Sequence, residues 1–352
     1  MRRVVILADD SAHWKIAGLR QLERLALEIN ELGVAQGESI QVFIQWSPDV
    51  GAIEQFVPDH PRLSHVDFRE IPSGTADLCL STHLFLPRKS ATSENFAQCV
   101  RADKSFEHLE SPAQIAACEK RFLRGGGKSQ DGLVSRLINR PISRAVTRAL
   151  LRTPLTPSAW TLAIFGFPLA GSAFLVHGDY SSVIAGLCLF QLYSILDGCD
   201  GEIARAKYLE SPRGGQLDTW CDILGNVLLV IGLGNGLSRV APSKSYFFIE
   251  SIIVAILIIA NELLLLNLTK STQLPARKDS ALYPRHQQMF EASGFPFLTK
   301  NFVPWIIQLT KRDVAILAFL IFALLHQEPW ILHLSGIVAA LSALLALKSH
   351  FR

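Results

Sequence analysis

The sequence predicts a multi-pass α-helical membrane protein of six transmembrane helices, preceded by a small N-terminal cytoplasmic α/β domain. Three observations predict it. The mean hydropathy of +0.27 over 352 residues is too apolar for a pair of ordinary soluble domains. That average conceals a break near Pro157: the chain is mixed and charged before it and runs into long apolar stretches after it. The basic residues, finally, gather at alternate ends of those stretches.

The first part, 1–125, alternates short apolar runs with one helical pattern. "RVVILA", "IQVFIQW" and "LCLSTHLFLP" read as strands and "LRQLERLALEINELG" as a helix, which together make an α/β layer domain. Asp9 and Asp10 interrupt the first apolar run and no small-residue cleavage site follows, so Val4 to Ala8 reads as a buried strand instead of a leader. The second part, 126–156, is entered through "RGGGKSQDG" at 124–132, a flexible linker without the first glycine of a phosphate-binding loop. It continues as "VSRLINRPISRAVTRALLRTP", an amphipathic helix with its arginines at near-helical spacing, suited to an anionic lipid surface and started or kinked by Pro141.

The third part, 157–352, holds the six candidate spans. They lie at about Trp160 to Val176, Val183 to Leu196, Leu217 to Leu237, Tyr246 to Leu268, Val314 to Leu325 and Trp330 to Leu347. An even number returns the chain to the side it started from. Arg140, Arg144, Arg148 and Arg152 precede the first span, Arg205, Lys207 and Arg213 follow the second, and Arg277, Lys278 and Arg285 follow the fourth. The intervening loops "VHGDYSS" and "LHQEPW" carry no Lys or Arg, although Arg239 and Lys244 lie near the third-to-fourth loop. The N-terminal domain is therefore expected on the cytoplasmic face of the cell membrane.

Six cysteines, at 79, 99, 118, 188, 199 and 221, show neither a C-x-x-C pair nor metal-ligand spacing, which excludes a disulfide framework or a zinc site. The net charge is +3, and no nucleic-acid partner is expected.

Against this background the segment "LDGCDGEIARAKYLESPRGGQLDTWCD" stands out, because it places four aspartates among apolar spans. Asp197 and Asp200 are three residues apart and Asp218 and Asp222 four, so each pair shares one helical face. Crowded carboxylates at a membrane edge repel one another and resist desolvation unless divalent cations neutralise them. Hard oxygen ligands of this type suit Mg2+ or Mn2+, and two such ions would bridge a diphosphate. A transporter using the aspartates as a cation path is the alternative, but it has no use for the arginine and glycines interleaved with them.

Asp197-x-x-Asp200-Gly201-x-x-Ala204-Arg205, then eight residues, then Gly214-x-x-x-Asp218-x-x-x-Asp222, resembles the complete signature of the CDP-alcohol phosphotransferases (CDP-alcohol phosphatidyltransferases). "TPLTPSAWT" resembles the Thr-Pro-Asn-x-x-Thr entrance to that family's first span, with Ser158 in place of Asn. The resemblance implies a homodimeric membrane transferase, active on the cytoplasmic side. An acceptor hydroxyl would attack the phosphoryl group of a CDP-alcohol such as CDP-diacylglycerol and expel CMP. It further implies that Asp197, Asp200 and Asp218 hold two Mg2+ or Mn2+ ions, and that Asp222 is the general base and also touches the second ion. Gly201 and Gly214 would admit the nucleotide closely, Arg205 would pair with phosphate, and Pro157 and Ser211 would contact the CDP moiety. The N-terminal domain faintly resembles the sugar-phosphate nucleotidyltransferases. "LADDSAHW" nevertheless lacks the glycines and the basic residue for a nucleoside triphosphate, so the domain reads as a degenerate remnant. A bifunctional cytidylyltransferase/phosphotransferase is the alternative. Some relatives with such a domain use inositol-phosphate-type acceptors, and Lys311 and Arg312, at the head of the fifth span, are the residues expected to bind one, with Asp313 orienting the guanidinium.

Overall fold

The apolar run at the N-terminus forms the strand it predicts. Strand β1 (Arg2–Ala8) turns Val4, Ile6 and Ala8 into a buried core, the period-2 alternation of a pleated strand. The computed structural model describes residues 2–37, 40–51, 54–64, 66, 68–69, 78–86, 107–125, 134–240, 245–271 and 312–350. A short hairpin of β2 (Lys15–Ile16) and β3 (Leu19–Arg20) leads into α1 (Gln21–Gln36), then β4 (Ile40–Trp46), β5 (Phe68–Arg69), β6 (Leu78–Ser81), β7 (Leu84–Phe85), β8 (Glu107–His108) and α2 (Ile115–Gly125). The main sheet is parallel in the order β5-β4-β1-β6, with Val4 opposite both Val42 and Leu78. Helix α1 is the crossover that parallel β1 and β4 require, and it ends at Gly37 in the left-handed region (φ 65°).

Beyond β1 the chain closes on itself. The Asp9 carboxylate accepts from the Ser11 amide (2.9 Å) and the Thr82 hydroxyl (3.1 Å) and meets His83 Nε2 at 2.9 Å. Burial opposes its ionisation, but these donors outweigh burial and hold the carboxyl below its ordinary range.

The chain divides into two compact units. The first comprises Met1–Gly127 together with Arg148–Pro154 and Glu202–Leu209, and the second the rest. Two segments from far along the sequence thus fold with the N-terminal residues, and Tyr208 is a fully buried member of their core.

The second unit is helical. A π-helical turn (Ser135–Asn139) precedes α3 (Arg140–Leu150), at the point where Pro141 lacks the amide that a regular helix would use. The expected amphipathic helix is present, but Arg140, Ser143 and Thr147 are buried while Leu137 and Ile142 are exposed. Helix α4 (Pro157–Ile164) is capped by the Thr156 hydroxyl, which accepts from the Ala159 amide at 3.3 Å, with Pro157 at the first helical position. It breaks before α5 (Gly166–Leu175), where Pro168 has no amide to meet the Ile164 carbonyl. Then follow α6 (Tyr180–Ala206), α7 (Pro212–Val240), α8 (Tyr246–Ser271), α9 (Arg312–Leu324) and α10 (Pro329–His350). Asp179 caps α6 by accepting from the Ser181 hydroxyl (2.6 Å) and the Ser182 amide (3.1 Å), and these bonds pull its carboxyl down to about 2.

Four stretches are long and apolar enough to cross a membrane among the described residues: Pro157–Leu175, Tyr180–Ala206, Pro212–Val240 and Tyr246–Leu264. They match the first four expected spans. The last two are seen as shorter apolar helices, α9 with 13 residues and Pro329–Leu344 within α10. The core between them joins Leu187, Phe190, Leu233, Val254, Phe319 and Ile331, while Leu162, Ile249, Ile253, Ile256 and Leu341 face outward. In water that outward face would be a liability; in hydrocarbon it is solvated.

Glycines let α5 and α7 approach at backbone distance. A Cβ at Gly236 would fall inside van der Waals contact of the Leu175 carbonyl and 2.9 Å from the Gly178 Cα. Gly236→Ala is therefore expected to destabilise the helical unit by about 3 kcal/mol, read as a lowered unfolding midpoint in detergent. An unchanged midpoint would mean that the two backbones part freely.

Candidate active site

Helix geometry fixes the first half of the site. On α6, residues 193, 197 and 200 follow one another at spacings of four and three and share a face, and on α7 Asp218 and Asp222 do the same. Helix α7 starts cleanly because the Ser211 hydroxyl accepts from the Gly214 amide at 3.0 Å and Pro212 follows it.

Packing of α6 against α7 then brings carboxylates together. One oxygen from each of Asp197, Asp200 and Asp218 lies within 4.8 Å of the others. Thr161 on α4 donates to Asp200 Oδ2 at 2.7 Å, and Trp160 Nε1 donates to the Leu196 carbonyl at 3.0 Å, so the head of α4 braces the end of α6. Asp218 Oδ1 is buried with no hydrogen-bond partner among the described residues, a costly state for a carboxylate oxygen unless a cation meets it. Three converging carboxylates and a buried orphaned oxygen are the hard-oxygen donor set of a divalent metal; the residues fit such an ion.

The fourth aspartate stands slightly apart from this group. Asp222 Oδ1 accepts from the Tyr193 hydroxyl at 3.2 Å and forms an ion pair with Arg312 Nη1. The other guanidinium nitrogen, Nη2, lies 3.8 Å from Asp197 Oδ2, and the guanidinium carbon sits 4.7 Å from the centre of the Tyr193 ring. Arg312 thus serves as a fixed positive charge between the two aspartate helices. Asp313, read from sequence as the group orienting that guanidinium, accepts from the Ser135 amide at 2.7 Å. Lys311 lies outside the described residues.

The remaining expected residues are placed as follows. Pro157 opens α4, and Ser211 and Gly214 form the first turn of α7. A Cβ at Gly214 would be 3.1 Å from Ser211 Oγ and 3.6 Å from Ser158 Oγ, so the missing side chain leaves a shallow opening between two hydroxyls. The Gly201 amide donates to the neighbouring Asp200 carboxylate, and Arg205 is half-buried farther along α6. Sequence reasoning missed Thr161, Tyr193 and Trp160 as supporting groups. Thr161 is the last residue of the "TPSAWT" entrance, and Tyr193 is one turn before Asp197, so the same helical spacing that paired the aspartates would have found both.

A model of the CDP-alcohol phosphatidyltransferase family matches residues 155–347, more than half of the chain. A protein of Rubrobacter xylanophilus named bifunctional IPC transferase and DIPP synthase is 40% identical over 149 residues, covering 42% of this chain and 34% of that protein. A protein of the same name from Archaeoglobus fulgidus is 30% identical over 217 residues, covering 61% of this chain and 37% of its own length. The chain therefore spans about a third of the length of these curated relatives.

Proposed function

The chain belongs to the CDP-alcohol phosphatidyltransferase family, and from that premise we propose that it transfers a substituted phosphoryl group from a CDP-alcohol to a hydroxyl acceptor, releasing CMP. The observation that carries the proposal is the convergence of Asp197, Asp200 and Asp218 within 4.8 Å, with Asp222 beside them.

Asp197, Asp200 and Asp218 would hold two Mg2+ or Mn2+ ions, with Asp222 reaching the second. When bound, these cations offset the charge of the diphosphate and of the departing CMP. Gly201, Gly214, Ser211 and Pro157 shape the CDP subsite, and Arg205 pairs with its phosphate. Asp222 takes the proton of the acceptor hydroxyl as the new P–O bond forms and the bond to CMP breaks, with CMP keeping the electron pair. Tyr193 and Arg312 both engage Asp222 Oδ1, so we assign proton acceptance to Oδ2. Arg312, with Lys311 before it, is the cation proposed to receive the acceptor's own charge, which suits a polyol phosphate of the inositol-phosphate type.

The full arrangement proposed is six spans in a homodimer of the cell membrane, with the aspartates and residues 1–125 on the cytoplasmic side, residues 126–156 as linker and interfacial helix, and 157–352 as the membrane domain. The relatives' names are bifunctional, which favours a cytidylyltransferase as a second reading for the N-terminal domain. Against it, the turn after β1 has no glycine, and Asp9 is engaged by Ser11, Thr82 and His83.

Membranes containing the protein, given Mg2+ and a labelled CDP-alcohol, are expected to release CMP only when a hydroxyl acceptor is added, and a panel of polyol phosphates would identify it. No release with any acceptor, or release that ignores the acceptor, would overturn the assignment.

A further inference from the structure

The α6–α7 connection joins the two aspartate pairs, and its first part is built into the core of the N-terminal unit. Ala206 and Tyr208 are fully buried, and Lys207 is 7% exposed. Arg24, itself 1% exposed, donates through Nη2 to the carbonyls of Ile16 (2.7 Å) and Ala206 (3.1 Å) and lies against the rings of Phe122 and Tyr208. The Arg62 amide donates to His60 Nδ1 at 3.2 Å, so Nε2 carries the hydrogen and donates to the Lys207 carbonyl at 2.9 Å. Lys207 Nζ donates to the Thr153 carbonyl at 2.7 Å, and its stem covers Gly18, where a Cβ would be 2.8 Å from Lys207 Cε. The Tyr208 hydroxyl donates to the buried carboxylate of Glu28.

The backbone points to the same conclusion. Tyr208 ends α6 in the left-handed region (φ 54°), with the Leu209 amide bonded to the Ala204 carbonyl at 2.9 Å. That closing position favours glycine. A tyrosine there strains the backbone and persists because its ring and hydroxyl are held by the N-terminal unit.

We propose that Arg24, Glu28 and His60 form a receptor for the α6–α7 connection, and that through it the N-terminal unit acts as a positioning element for the donor site. The clamped residues lie between Arg205 and Ser211, both assigned to the CDP moiety, so this inference rests on the phosphotransfer reading. Both flank the clamped residues along the chain, and misplacement of about 1 Å is enough to cost a binding or catalytic geometry heavily. Removing 1–125 is therefore expected to impair phosphotransfer as well, since Tyr208 and Lys207 would lose their partners.

The test uses the full chain in lipid nanodiscs with Tyr208→Gly, Tyr208→Phe and His60→Ala. Tyr208→Gly suits the backbone and deletes the anchor; Tyr208→Phe keeps the ring. Hydrogen exchange of the amides at 206–215 is expected to speed up at least tenfold in Tyr208→Gly and His60→Ala. The KM for CDP-alcohol should rise about tenfold in Tyr208→Gly and His60→Ala and by less in Tyr208→Phe, which loses only the bond to Glu28, with the acceptor KM within about twofold of the parent throughout. Should Tyr208→Gly fail to fold, His60→Ala, which removes a single donor, decides alone. Unchanged exchange at 206–215 overturns the clamp. Equal rises in both KM values overturn the positioning role. If the parent turns over no CDP-alcohol, the functional reading fails, while the exchange measurement still decides the clamp.

Discussion

Asp222→Asn is expected to lower kcat by about 10²–10⁴-fold, the usual contribution of a positioned general base, while leaving CDP-alcohol binding close to the parent's. The amide keeps the shape of the carboxylate and an oxygen for the Tyr193 hydroxyl, 3.2 Å away, but it cannot take up a proton at neutral pH. It also leaves Arg312 with Asp197 as its remaining carboxylate partner among the contacts described. The three carboxylates that converge within 4.8 Å are untouched, so the ion they hold should be retained, and only the second, which Asp222 would reach, should bind more weakly. Rapid-quench measurement of CMP formation, with metal analysis of the same sample, checks both halves. Substantial turnover in Asp222→Asn would remove it from the role of base.

Asp218→Asn should do something different. The carboxylate has a buried, unpartnered oxygen and sits against Asp197 and Asp200, so its neutralisation removes like-charge repulsion and a desolvation cost at once. Without divalent metal the variant is expected to be more thermally stable than the parent. With metal the order reverses: affinity for Mn2+, read by electron paramagnetic resonance, should fall by at least about 10²-fold, and the stabilisation that metal confers on the parent should vanish. Activity should be lost with it. Asp197→Asn should also lose both binding and turnover. A variant of Asp218 that binds Mn2+ as the parent does would show that the cluster is not the metal site.

These expectations trace back to parts of the chain that differ in how readable they were. The aspartate pairs were legible because a helix repeats every 3.6 residues, so three- and four-residue spacings place side chains on one face whatever surrounds them. Strands β1, β4 and β6 and helix α1 of the N-terminal unit were legible for the same kind of reason, as short apolar runs around one amphipathic helix. Thr161 and Tyr193 were within reach of that reasoning. Arg312 was singled out for its position beside a span, yet its pairing with Asp222 and Asp197 depends on the packing of α9 near α6 and α7, which no local pattern encodes.

The α6–α7 connection marks the boundary most clearly. From sequence, "SPRGG" reads as the turn between two helices, and its start at Ser211 is where α7 is capped. Local chemistry thus determined the helices, their caps and the faces that carry the carboxylates, because those depend on neighbours a few residues away. The tertiary structure alone decided that Lys207 and Tyr208 belong to a core begun about 200 residues earlier. A tyrosine in a left-handed turn is unfavourable by roughly 1–2 kcal/mol on its own, and only burial of its ring and the meeting with Glu28, distant along the chain, offset that cost.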